Sequence, residues 1–269
     1  MATPISVRRP ALELSADLPR YWYGGNAFAT HYLDALSSVF PDGEAFFVRS
    51  VQRYRDRIDD PELRRAIQGF AGQESQHSHQ HDRHLSLLSA HGYGALARAN
   101  RVADKVMRFS NRHAPRFSLA STAALEHLTA LLARRILADG ARFTQPMDPR
   151  MAALWRWHAL EEAEHKTVAF DVLKRVAPSY PLRVLALVVN CVGLFVEILV
   201  RTGYMLWVDG ELSRRESWRD GRKFLFGREG LLRGLGREFR AWFRRDFHPA
   251  QIDDGPLIAE WHERVAIGS

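Results

Sequence analysis

WHALEEAEHKTVAFDV, residues 157–172, sets Glu162-Ala163-Glu164-His165 among apolar residues that recur at helical spacing. A separation of three puts the carboxylate and the imidazole on one helix face, so one metal ion can take an oxygen and a nitrogen from a single turn. Alone this signal is weak. In a chain with 12 histidines a solvated polar face gives the same pattern by chance. A second copy, Glu74-Ser75-Gln76-His77 within QESQHSHQH at residues 73–81, lies on a separate helical stretch and makes chance harder to invoke.

Four-helix dinuclear carboxylate sites take Glu-x-x-His from two helices and a single Glu from each of the other two. The chain offers that order as Glu44, Glu74 with His77, Glu126, then Glu162 with His165. Glu126 stands among Ala123, Leu125, Leu128 and Leu132, which turns it toward a core. A buried carboxylate needs a partner, either a metal ion or an arginine such as Arg134. Glu44 follows Pro41-Asp42-Gly43, a predicted helix start with Asp42 as N-cap, where a Glu can serve the helix dipole alone. Its followers Ala45, Phe46 and Phe47 still point to a helix entering the core.

His158, four residues before Glu162, extends one stripe through His165, and His81 extends the other from His77. Either adds a third nitrogen. Glu161 competes with Glu162 for the ligand role, the three-residue spacing favouring Glu162. His79, His84, His113 and His127 fall off these faces and are expected at the surface or around the site. A donor set of many carboxylates and few imidazoles suits two metal ions, with iron first and manganese second, and exceeds what one catalytic zinc uses. The single cysteine, Cys191, excludes thiolate-rich zinc and iron–sulfur sites.

Beyond these motifs the pattern is helical, and the class is all-α. Helices are expected over residues 26–57 with an interruption at Pro41, then 61–91, 95–110, 119–137 closed by Asp139-Gly140, and 149–176 ended by Pro178 and Pro181. Residues 1–25, rich in proline and glycine, read as an irregular lead-in rather than a packed element. No apolar run follows Arg8 and Arg9, so the start does not read as a secretory signal, and a cytoplasmic location is the default. Residues 182–208 are almost wholly apolar, interrupted by Asn190 and Glu197, and fit a buried helix, a dimer-forming helix or membrane insertion. Downstream to Arg245, basic residues outnumber acidic ones and interleave with Trp and Phe, which suits an anionic membrane surface at 182–245 and a peripheral place at the inner membrane. No nucleic-acid motif is present.

On these residues the chain resembles the ferritin-like dinuclear carboxylate superfamily over residues 28–176. WHALEEAEHKTVAFDV, QESQHSHQH, ALEHLTA and DFHPAQIDD further resemble a bacterial family labelled predicted metal-dependent hydrolase. The stripe His158, Glu162, His165 is also similar to the di-iron arylamine N-oxygenase branch, which adds a histidine to one iron. The resemblance implies a ferritin-like four-helix bundle at 26–180 with additional C-terminal helices at 181–269. It implies an enzyme; the apolar helix and the basic aromatic stretch after it point to a hydrophobic small-molecule substrate, with Phe47, Leu125 and Phe170 expected to shape the pocket. Oxygen-activating oxidation is the first expectation. Hydrolysis by water activated between paired metals is the alternative, and non-enzymatic metal or membrane binding a third. A homodimer would account for the apolar helix.

Overall fold

The computed structural model describes residues 5–138 and 142–267, and among these it is all-α. Asn26 caps α1 (Ala27–Gln52), its side chain accepting from the Ala29 amide at 2.9 Å. Asp60 caps α2 (Pro61–Leu88) through the Glu62 and Leu63 amides, with Pro61 at the first helical position. Gly92, with φ of 102°, then turns the chain into α3 (Ala95–His113). α4 (Pro115–Ala138) returns, and the pair Asp139-Gly140 expected to close it lies outside the described residues. Asp148 caps α5 (Pro149–His165), which is followed by α6 (Val168–Val176) and the long α7 (Tyr180–Val208). The chain ends in α8 (Arg215–Phe226), α9 (Gly236–Ala241) and α10 (Gly255–Ile267).

The bundle that matters for the site packs α1 on α2 and α4 on α5 and α6, with α1 meeting α4 and α2 meeting α5 and α6. α7 lies across α1 and α4. Two apolar clusters fill the interior. One gathers Leu33, Leu36, Trp155 and Leu160 with Ile198, Met205, Phe224 and Trp261, and the other Phe46, Phe47, Phe70 and Leu119 with Phe170, Trp242 and Phe247. Residues from both ends of the chain therefore share each core.

Four expectations need correction. α1 runs unbroken through Pro41, so Asp42 is no N-cap and Glu44 sits deep within a helix rather than in its first turn. Interior proline costs about 3 kcal/mol. Here Phe40, Phe46 and Phe47, all buried on either side of it, supply burial of comparable size each. The stretch expected as one helix at 149–176 is interrupted at Lys166 and Thr167, where the Lys166 ammonium turns away to the Ile252 carbonyl and the Asp254 carboxylate.

The lead-in is irregular yet packed: Leu14, Leu18 and Trp22 are core residues, and Ile5 and Val7 press on α2 where Gly69 and Gly72 leave room. The expectation of a buried helix at 182–208 fails as well. One side of α7 is buried, but Val188, Val192, Val196 and Val200 are exposed.

Candidate metal centre

Glu44 from α1, Glu74 and His77 from α2, Glu126 from α4, and His158, Glu162 and His165 from α5 meet inside the bundle, all essentially inaccessible to solvent. Helical spacing does this directly. Residues three and four apart share a face, so each helix needs only one face turned inward. Glu162 is central: its Oε1 lies 3.2 Å from His158 Nε2, 3.7 Å from His165 Nε2 and 3.8 Å from His77 Nδ1. His165 Nε2 is 2.9 Å from Glu74 Oε1 and 3.4 Å from Glu126 Oε2, and Glu44 Oε1 is 3.9 Å from His158 Nε2. The rings of His77 and His158 stack at 4.1 Å. Three triads within this set, His77, His158, Glu162; Glu44, Glu74, His77; and Glu74, Glu162, His165, and a fourth that adds His81 to Glu44 and His158, bring their donor atoms within 4.8 Å of one another.

The far nitrogens of the imidazoles are held by neighbours. His165 Nδ1 meets Gln73 Oε1 at 2.9 Å, and Gln73 in turn donates to Glu164 and to the Ser6 carbonyl. His77 Nε2 meets Glu161 Oε2 at 3.0 Å. His158 Nδ1 meets His81 Nε2 at 2.7 Å, His81 Nδ1 meets Ser37 Oγ at 2.7 Å, and the same hydroxyl meets His84 Nδ1 at 2.7 Å. His84 continues to Asp34, which also accepts from the Trp22 indole at 2.8 Å and faces His31. Thr129 donates to Glu162 Oε2.

Glu161 therefore lies beside the cluster rather than at its centre, between His77 and Arg8. His81, with both nitrogens engaged, lies behind His158. Arg134, the alternative partner weighed for Glu126, pairs with Asp254 instead.

Charge follows from this crowding. Burial, reinforced by the carboxylates of Glu74 and Glu162, pushes Glu44 well above the usual carboxylate range. Burial likewise lifts Glu126 far up, against the pull of His165, and raises Glu74. Glu162 is also penalised by burial, but the imidazoles of His158 and His165 overcome this and hold it well below the usual range. Burial disfavours charge on His165, yet Glu126 and Glu74 raise it well above an ordinary histidine. Burial drives His77 and His81 the other way, with His158 adding to both shifts. Burial pushes Glu161 up to about 7, although Arg8 opposes the shift.

Several of these residues carried no usable signal in the sequence. Gln73 and Thr129 are one residue before Glu74 and three after Glu126, spacings that recur everywhere on helices. Asp34 and Ser37 reach the site only through the packing of α1 on α2. His84 and His127, expected at the surface or near the site, are both buried; His127 stacks on Trp242 away from the cluster, and burial lowers it to about 4. His79 and His113 are exposed as expected. Phe47, Leu125 and Phe170 do not line the cleft that reaches the cluster. That narrow apolar cleft runs between Leu33, Leu36, Phe40, Leu132, Ile136 and Trp155 and ends on His158 and Glu162.

A family model described as predicted metal-dependent hydrolase matches residues 6–253. The chain belongs to that family. No curated protein and no solved structure matches it. The stretch shared with the predicted metal-dependent hydrolases takes in the lead-in with Arg8, all seven clustered Glu and His residues, and the helices through α9. Family membership and the buried His/Glu groups together indicate metal dependence.

Proposed function

We propose that this chain is a metal-dependent hydrolase whose buried cluster holds two metal ions through Glu44, Glu74, His77, Glu126, His158, Glu162 and His165. The observation that carries this reading is where the unpartnered polar atoms lie. Both oxygens of Glu44, Glu74 and Glu126, Nε2 of His158 and His165 and Nδ1 of His77 make no hydrogen bond, and they converge on one interior volume. Leaving one such group unpaired costs about 1–3 kcal/mol, and a charged one more. Three carboxylates left unpaired beside Glu162 fit a site built for cations.

Proton bookkeeping on the imidazoles agrees. If Nε2 of His158 gives its lone pair to a metal, its proton sits on Nδ1 and donates to His81. His81 then donates from Nδ1 to Ser37 and Ser37 to His84, whose Nε2 faces the Asp34 carboxylate at 3.4 Å, each hydrogen-bonding group used once in each direction. His165 donates from Nδ1 to Gln73, and His77 Nε2 lies 3.0 Å from the Glu161 carboxylate, which leaves His165 Nε2 and His77 Nδ1 toward the cluster.

Metal ions there would polarise a scissile bond and bring water's ionisation into the neutral range. The chain's own contribution is to fix the ligands and exclude bulk water, with only a narrow apolar crevice reaching His158 and Glu162.

The donor set favours a second reading. Four carboxylates with three imidazoles suit iron or manganese, and a ferritin-like di-iron oxidoreductase uses such a shell. Loading the purified chain anaerobically with Fe(II) or Mn(II), counting metal per chain, and admitting air separates the two. Hydrolysis of an apolar ester or phosphoester panel by the colourless manganese form supports the hydrolase. An absorption band that grows on aeration of the iron form, without hydrolysis, transfers the site to the oxidoreductase. Retention of no metal removes both.

A further inference from the structure

α3 and α7 both pack on α1 and α4. Asn100 of α3 donates to the Ser38 carbonyl and Arg201 of α7 to the Ser38 hydroxyl, so both helices touch one residue of α1. Farther along, Ser110 of α3 meets Ser118 of α4, and Asn190 of α7 donates to Ser121, one turn away on the same helix. Asn100 to Ser110 runs forward in α3 while Arg201 to Asn190 runs backward in α7. The pair is therefore antiparallel, laid across α1 and α4.

Their outer sides match in character. On α7 the residues from Leu185 to Val208 that are exposed as a whole are apolar or glycine, including Val192 at 60% and Val200 at 65% exposure, and the part-exposed Glu197 carboxylate among them is paired with Arg201. On α3, Val102, Val106 and Phe109 make an exposed stripe at helical spacing. A patch of this extent is more than a soluble monomer ordinarily shows to water.

What flanks the patch decides its occupant. Arg98, Arg101, Lys105 and Arg112 stand exposed along α3, and the one acidic residue among them, Asp104, is taken by Arg49 and Arg108. Trp207, near the C-terminal end of α7, and Trp218 of α8 are exposed as well. A second copy pairing two-fold through this face would bring like-charged rows of Arg and Lys together. An anionic lipid surface meets the same rows with opposite charge, takes the apolar stripes below its headgroups and suits interfacial tryptophan.

We propose that α3 and α7 form one docking face for an anionic membrane, with both helices lying in the plane of the bilayer. α7 is long and apolar enough to cross a membrane, but its inner side is committed to the bundle. Arg183 donates to the carbonyls of Trp242 and Arg244, and Arg201 to Glu197 and Ser38. A crossing would strip these contacts and expose both guanidinium groups to hydrocarbon. The bundle stays outside, and only the outer half of each helix enters the interface.

Flotation of the full chain with phosphatidylcholine vesicles, with and without phosphatidylglycerol, tests this. Binding is expected with the anionic vesicles, weakening as salt is raised. Arg101→Glu and Lys105→Glu should each weaken it about fivefold or more, the equivalent of about 1 kcal/mol per basic residue near the surface. Val188→Asp and Val192→Asp should each weaken it about tenfold or more. Both valines are exposed, so the melting curve should be unchanged, which separates lost docking from lost folding. A chain that floats with neither vesicle overturns the proposal, and if it is then a dimer that V192D splits, the occupant is a second copy. Membrane binding that survives alkaline carbonate washing overturns the in-plane arrangement in favour of insertion.

Discussion

Glu161 and Glu162 are neighbours in the chain with different surroundings. Glu162 faces three imidazoles and the Thr129 hydroxyl, whereas Glu161 is shared between His77 Nε2 and Arg8. Glu162→Gln is expected to lose at least one metal ion per chain. Glu161→Gln should keep both but bind them about 10–100-fold more weakly, the usual effect of removing a group that orients a ligand. Metal analysis and titration of the two variants distinguish the roles, and equal losses from both would discard the assignment.

The direction of each shift also fixes a pH dependence. Glu44, Glu74, Glu126 and His165 are all raised, so the metal-free site holds protons that a metal must displace, while Glu162, already ionised, releases none. Bound metal thus means fewer bound protons, and affinity rises with pH above the ordinary carboxylate range. Calorimetry of metal loading in buffers of different ionisation heat should register proton release. Proton uptake, or affinity indifferent to pH, would contradict it.

At the scale of elements, the glycines of α2 show how the lead-in is fitted. A Cβ at Gly69 would lie 2.7 Å from Ile5 Cβ and 3.0 Å from its carbonyl oxygen. Gly69→Ala should therefore destabilise by about 1–3 kcal/mol through overpacking, even though alanine is worth about 1 kcal/mol in a helix interior. In an Ile5→Gly background most of the clash is gone, and the same substitution should become neutral or stabilising. Denaturant melts of the four proteins read the sign, and no reversal would mean the lead-in does not press on α2.

This fitting also marks where sequence reading stopped. The duplicated Glu-x-x-His spacing made α2 and α5 recognisable, because period and chemistry coincide in a few residues. Proline and glycine composition correctly described the backbone of the lead-in as irregular, but composition is silent on whether an irregular segment packs. Pro41 misled for a related reason: local propensity argues for a break, and only the burial of Phe40, Phe46 and Phe47 around it shows why α1 continues. The chain from His158 to Asp34 was illegible, since Ser37 and His84 meet only once α1 lies on α2.

For the molecule as a whole, α1, α2, α4 and α5 each bring carboxylates to one interior point, so the bundle that positions the site is also strained by it. Metal ions binding the folded chain alone should stabilise it by about 2.7 kcal/mol per site when present at a hundred times the dissociation constant. In a chain of this size each kcal/mol moves the melting temperature by roughly 2–4 °C. Two sites thus predict a fall of roughly 10–20 °C on chelation, recovered on adding Fe(II) or Mn(II). The effect should vanish in Glu74→Gln/Glu162→Gln, whose metal-free form should melt no lower than the metal-free parent, because removing ionisable oxygens relieves the crowding that raises Glu44. Calorimetric scans with and without chelator measure both quantities. A parent chain that melts identically in the two conditions would show that the buried carboxylates are satisfied without metal.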